Sequence, residues 1–159
     1  ALGYTEPDPR DDLSGTDVAR KLVILARESG MHISLSDVEV QSLVPASLRS
    51  ADRDAFMDGL AALDAPMQAA LEAARSKACV LRYVAKLEQD GKASVALREL
   101  PASHAFAHLR LTDNCVSFTT RRYCDNPLVV QGPGAGPEVT AAGVFSDLLR
   151  LAAAPGAKL

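Results

Sequence analysis

The sequence predicts an α+β fold, with a mixed or antiparallel sheet and helices on one face. Two alternating runs, CVLRYVAKLEQ and KASVALREL, meet at Asp90-Gly91, a dipeptide suited to a tight hairpin turn. Val18, Leu22, Leu25 and Ala26 recur at helical spacing well before that hairpin. Helical patterns stand before and after a block of strands instead of alternating with them, which departs from a regular βαβ plan.

Taken in order, Pro7 and Pro9 favour extended or turn backbone and exclude helix until the Asp11–Ser14 region supplies N-cap chemistry. A helix is expected over about 14–29, closed by Gly30. Residues 36–43, SDVEVQSL, alternate as a short strand would. Residues 50–78 read as two helices, with Asp64 capping the second and Pro66 in its first turn. The hairpin over 79–100 is expected to share its sheet with a strand over 114–123, followed by a short apolar strand at 126–131. A last helix runs from Glu138 to about Ala153. Nothing in the chain looks long enough to cover both faces of the hairpin. An uncovered hairpin edge gives a physical motive for pairing with a second copy, so a homodimer is expected.

At 159 residues the chain is enough for one core and short for two ordinary domains. Apolar residues make up 48% of it and charged ones 23%, the composition of a globular protein rather than a disordered one. Seventeen basic against twenty acidic side chains give a net charge of −3, with no lysine-rich run, which argues against nucleic acid as a ligand. No apolar run approaches the roughly 20 residues that span a bilayer, so neither a membrane nor a secretory route is expected, and the chain reads as cytoplasmic. Cys79, Cys115 and Cys124 are odd in number and show no close pairing, while His32, His104 and His108 fit no ligand spacing. No metal site is expected.

Two stretches carry chemistry. The first is GYTEPDPRDDLSGTDVARK, residues 3–21. Asp17 and Lys21 are four apart and rise from the same helix face. By itself this is a surface ion pair worth a few tenths of a kcal/mol. Glu6, Asp8, Asp11 and Asp12 crowd just upstream, and like charges held together are costly unless a cation sits among them. A solvated acidic loop favoured by the helix dipole is one account. The other is a pocket that holds a ligand ammonium against carboxylates and uses a lysine as proton donor. The second stretch is PLVVQGPGAGPEVTAAGV, residues 127–144, where Gly132, Gly134 and Gly136 stand between a strand and a helix. Bare backbone there can approach a phosphate or ribose, or can serve as a plain turn. The spacing is not that of the G-x-G-x-x-G dinucleotide fingerprint.

Together the two stretches resemble the homoserine dehydrogenase family. Asp8-Pro9, Asp12-Leu13, Gly15, Asp17 and Lys21 match its long irregular signature. TDN at 112–114, FTTRRY at 118–123 and the glycine stretch follow in the family's order, so the resemblance runs from about residue 3 to 153. The later blocks look most like those of bifunctional aspartokinase–homoserine dehydrogenases. The resemblance implies NAD- or NADP-dependent interconversion of L-homoserine and L-aspartate 4-semialdehyde, on the path to threonine and methionine. It assigns Lys21 as proton donor to the aldehyde oxygen and Asp17 as the residue that orients it. Glu6 matches the carboxylate that binds the substrate amino group, Asp12 lines the same pocket, and the backbone of Gly3, Tyr4 and Thr5 lies beside the substrate. Gly136, with Gly132 and Gly134, matches the turn that touches the nicotinamide cofactor.

The resemblance also implies a division of labour, with residues 1–125 as a catalytic and dimerisation domain and 126–159 as a strand, glycine turn and helix that return to the nucleotide-binding part. The Rossmann domain, a second catalytic-region lysine and the loop that ligates a monovalent metal ion are not in this sequence. The chain is therefore expected to be a C-terminal fragment, inactive alone. The alternatives are a non-catalytic dimerisation or regulatory module that retains the sequence, and a stand-alone phosphate-binding protein built on the glycine turn.

Overall fold

The computed structural model describes residues 8–154, and the chain divides at the Ala107–His108 junction into two compact units. The first holds α1 (Pro9–Leu13), α2 (Thr16–Glu28), β1 (Val38–Val40), α3 (Arg53–Gly59), α4 (Asp64–Ser76), β2 (Cys79–Leu87) and β3 (Ala93–Pro101). The second holds β4 (Asp113–Phe118), β5 (Leu128–Pro133) and α5 (Pro137–Ala153).

In the first unit β2 and β3 form the expected antiparallel hairpin, in register from Cys79 opposite Pro101 to Leu87 opposite Ala93. The third strand of that sheet is β1, parallel to β3 with Val38 opposite Ala93 and Val40 opposite Val95. The expectation that the strand at 114–123 would join the hairpin is corrected. That strand ends at Phe118 and pairs with β5 in a separate two-stranded sheet, Asp113 opposite Pro133 and Phe118 opposite Leu128. Alternation tells which residues share a face but not which strand lies alongside, and this choice falls to tertiary contacts.

The alternating residues of the hairpin explain where the core sits. Tyr83, Ala85 and Leu87 of β2 share a face with Ala93 and Val95 of β3, and α2 lies across that face. Its Ala19, Leu22, Val23 and Ala26 are buried against Val38, Ala93 and Val95. The two alanines are wholly inaccessible, and their small side chains let the helix backbone come close to the sheet. A leucine or valine buried this way contributes roughly 1.5–3 kcal/mol. The chain therefore does cover one face of the hairpin. The other face carries Val80, Arg82, Val84, Ala96 and Leu100, all half-buried. The Arg82 guanidinium donates from that face to the carbonyls of Phe106 and Ala107, 2.7 Å each.

Two local expectations are also corrected. Pro9 does not delay the first helix but starts it. A proline at the first helical position gives up an amide that would have no partner anyway, and the Asp8 carboxylate caps the turn by accepting from the Arg10 amide at 2.9 Å. Asp64 is the first residue of α4 and not its cap, because a 3-10 turn at Leu60–Leu63 leads straight from α3 into α4. The capping aspartate of this pair is Asp52, which accepts from the Ala55 amide at the start of α3. The helix α2 ends as anticipated, with Gly30 and Met31 donating back to the carbonyls of Arg27 and Ala26.

The docking of α1 rests on one arginine. Arg10 forks onto the Asp8 carboxylate, with Nε 3.0 and 3.1 Å from its two oxygens and Nη2 2.6 Å from Oδ2. Its Nη1 also donates to the Ala51 and Arg49 carbonyls. The guanidinium carbon lies 5.5 Å from the centroid of the Phe56 ring, which is fully buried in α3. In the second unit, by contrast, α5 leaves Val144, Phe145, Leu148 and Leu151 each more than half exposed. Among the described residues no helix is long and apolar enough to cross a membrane.

The Arg10 fork, followed by the Arg10 amide, lowers the Asp8 carboxyl from its ordinary 3.8 to about 2. Because the folded value lies below the unfolded one, this pair stabilises the fold fully above about pH 4 and ceases to do so as pH falls through about 2. A side-chain carboxyl NMR titration of Asp8 should give a midpoint near 2. Asp8→Asn should flatten the dependence of stability on pH between 4 and 2. A midpoint near 3.8 would show that Arg10 does not hold this carboxylate.

Candidate functional site

The helix that carries Asp17 and Lys21 starts from a glycine with a positive φ. Gly15 is the N-cap of α2 at φ 78°, ψ 3°, a left-handed conformation that costs most L-residues about 1–2 kcal/mol. It is buried, and any side chain there would collide with Tyr83. A Cβ built on Gly15 would overlap the Tyr83 hydroxyl, 2.9 Å from its Cζ and 3.0 Å from Val40 Cγ1. The neighbouring Ser14 hydroxyl accepts from the Thr16 amide at 3.2 Å, just ahead of the first turn. Asp17, in that turn, sits where the helix dipole favours a carboxylate.

Since Ala19, Leu22, Val23 and Ala26 face the sheet, Asp17 and Lys21 are turned outward. Their side chains meet at 2.8 Å between Nζ and Oδ2, each 57% exposed. A pair this open adds little to stability. It leaves an ammonium anchored on a carboxylate and more than half exposed, so a carbonyl oxygen approaching it can take a hydrogen bond or a proton. Asp12 stands on α1, exposed, on the short helix that Arg10 clamps to α3. The Leu43 amide donates to the Leu13 carbonyl at 2.9 Å and so ties the end of α1 to the loop after β1. Glu6, Thr5, Tyr4 and Gly3 lie outside the described residues.

The glycine turn belongs to the second unit. After β5, the Gly134 amide donates to the Thr112 carbonyl at 2.8 Å, and a Cβ at Gly134 would overlap the Asn114 side-chain amide. Gly136 has φ 125° and ψ 148°, a region open to glycine alone, and it caps α5 with Pro137 at the first helical position. A Cβ at Gly132 would meet nothing within 4 Å, so the side-chain position of this β5 residue, opposite Asn114 in the ladder, is open. Bare backbone turned outward beside a helix start fits contact with a flat or anionic part of a dinucleotide. The turn supplies main-chain groups only.

Among the described residues no set of three or more His, Cys, Asp and Glu side chains comes together to hold a metal ion. Cys79, Cys115 and Cys124 are free thiols. Burial, with a smaller push from Asp113, raises the Cys115 thiol and keeps it protonated. Burial also raises the Tyr83 phenol, so its hydroxyl remains a donor, to the Gln41 carbonyl at 2.7 Å. Sequence reasoning brought out Asp17, Lys21 and the glycine turn but gave no role to Arg10, Tyr83 or Asn114. Asp8-Pro9-Arg10 carried a usable signal, a capping residue before a proline at the first helical position. Tyr83 gave none beyond its place in an alternating strand.

The homoserine dehydrogenase family model matches residues 1–149. The chain is 54% identical over 157 residues to the chloroplastic bifunctional aspartokinase/homoserine dehydrogenase 2 of Zea mays, covering 98% of this chain and 17% of that protein. It is 47% identical over 152 residues to the homoserine dehydrogenase of Schizosaccharomyces pombe, covering 94% of this chain and 40% of that one. Among solved structures it resembles a Candida auris protein described as of unknown function, with TM-score 0.86, 45% identity, and coverage of 94% of this chain and 42% of that one. A Staphylococcus aureus homoserine dehydrogenase crystal structure matches with TM-score 0.67 and 26% identity, covering 95% of this chain and 34% of that one. The chain thus spans less than half the length of these relatives. The family signature, the ordered later blocks and a match over nearly the whole chain agree: the chain belongs to the homoserine dehydrogenase family.

Proposed function

We propose that this chain is the catalytic portion of a homoserine dehydrogenase that interconverts L-aspartate 4-semialdehyde and L-homoserine with NAD or NADP, in threonine and methionine biosynthesis. The observation that carries the reading is the Lys21–Asp17 pair, held at 2.8 Å on the open face of α2 inside the family signature. Lys21 donates a proton to the aldehyde oxygen, and Asp17 holds its ammonium in place by the 2.8 Å contact. Glu6 holds the substrate ammonium, Asp12 lines the same pocket, and the backbone of Gly3, Tyr4 and Thr5 borders it. Gly132, Gly134 and Gly136 let the cofactor approach bare main chain. When bound, the nicotinamide supplies the hydride that reaches the carbonyl carbon.

In this reading residues 1–125 form the catalytic and dimerisation part, and 126–159 return to a nucleotide-binding domain. The exposed Val144, Phe145, Leu148 and Leu151 of α5 support that return, since a helix with such a face is built to be covered. The half-buried Val80, Val84, Ala96 and Leu100 on the other face of the hairpin support a homodimer. Sedimentation at micromolar concentration should give a dimer, and a monomer alone would count against it. No dinucleotide fingerprint is present in these 159 residues, and one glycine turn offers few contacts against the entropy of association. The isolated segment should therefore not oxidise NAD(P)H with aspartate semialdehyde. Turnover near that of the full-length enzyme would refute this expectation.

The decisive substitutions separate proton donation from binding. In the full-length enzyme Lys21→Ala should lower kcat by about 10²- to 10⁴-fold with little change in KM for the semialdehyde. Asp17→Ala should follow it. Glu6→Gln should instead raise KM, because its pairing with the substrate ammonium is made in ground and transition states alike. Wild-type kcat in Lys21→Ala would leave the pair as a surface ion pair and nothing more.

A further inference from the structure

The contact between the half-buried Tyr83 and the buried Gly15 sits at the point where α1 turns into α2. The Tyr83 ring packs against the core beneath α2, and its hydroxyl emerges at the helix junction. There it donates to the Gln41 carbonyl at 2.7 Å. Gln41 is itself bound to β3 twice, its amide donating to the Val95 carbonyl at 2.8 Å and its side-chain oxygen accepting from the Leu97 amide at 3.1 Å. Two residues on, the Leu43 amide holds the Leu13 carbonyl at the end of α1. The phenol thus stands in a ring of fixed backbone, and Gly15 rests on it with no room for a Cβ.

We propose that Tyr83 is a positioning residue for the reaction, setting the height of α2 on the sheet so that the Lys21 ammonium meets the reacting oxygen. The proposal rests on the reading of Lys21 as proton donor. Lys21 is six residues from Gly15, about 9 Å along a helix axis, and α2 is one unbroken helix across that span. A displacement of its first turn is therefore passed on to Lys21 and Asp17 nearly undiminished. A misplacement of about 1 Å at a reacting group can cost on the order of 10²-fold in rate. The glycine in the signature is then required twice, by its positive φ and by the phenol beneath it.

The test uses the full-length enzyme, assayed well below the unfolding temperature of each variant. Tyr83→Phe keeps the ring and removes the hydrogen bond to Gln41; Tyr83→Leu removes both. Expected is a fall in kcat of about 3- to 10-fold for the first and about 100-fold for the second, with KM for the semialdehyde and for the cofactor within about twofold of wild type. A residue with a merely structural role would lower the unfolding temperature and leave kcat intact. That result in Tyr83→Leu overturns the proposal, as does a rise in both KM values at unchanged kcat. If Tyr83→Leu does not fold, Tyr83→Phe decides, and an unchanged kcat there overturns the proposal. Lys21→Ala assayed in parallel separates the two failures. Wild-type kcat in that variant removes the donor reading and Tyr83 with it, whereas an impaired Lys21→Ala beside unimpaired Tyr83 variants removes only the role of Tyr83.

Discussion

The packing of α2 on the three-stranded sheet is the constraint on which the rest of the first unit depends. Ala19 and Ala26 are fully inaccessible, and with Leu22 and Val23 they commit one face of the helix to Val38, Ala93 and Val95. A helix has only one opposite face, so this commitment is what turns Asp17 and Lys21 outward. The carboxylate–ammonium pair owes its exposure to apolar burial on the other side and owes little of the fold's stability to its own attraction.

The crowding of carboxylates ahead of α2 is resolved by several separate devices. Asp8 caps α1 and is forked by Arg10, which lowers its pKa and anchors the short helix over the buried Phe56 ring. Asp17 lies in the first turn of α2, where the helix dipole favours it, and is bound by Lys21. Dense acidic sequence is thereby spread over two helix starts, each with a cation supplied from within the chain. Further down the first unit Asp37 follows the same logic, its carboxyl lowered by the Ser34 hydroxyl and amide in a capping box before β1.

In the second unit glycine serves sterics more than chemistry. Gly134 gives room to the Asn114 amide, and Gly136 adopts backbone angles that carry the chain from the end of β5 into α5. At Gly132 the space a side chain would fill is open. A motif read from spacing as one glycine-rich element is thus three positions with different physical duties.

Local chemistry made much of this legible before any coordinates. The Asp90-Gly91 hairpin, the α2 periodicity and the i, i+4 Asp17–Lys21 pair are written in neighbouring residues, because turn geometry and helix faces are short-range properties. The long irregular signature through Asp8, Asp12, Gly15, Asp17 and Lys21 was sufficient by itself to point to the family. Sequence could not decide that β1 and not the strand at 113–118 lies beside β3, since period-two alternation specifies a face and no partner. Nor could it decide that Tyr83 would rise beneath Gly15 or that Arg10 would reach the carbonyls of Arg49 and Ala51, contacts spanning 39 to 68 positions of chain. Those arrangements exist only once the sheet is assembled and α2 has been laid across it, because burial of the shared apolar face is what brings the distant residues together.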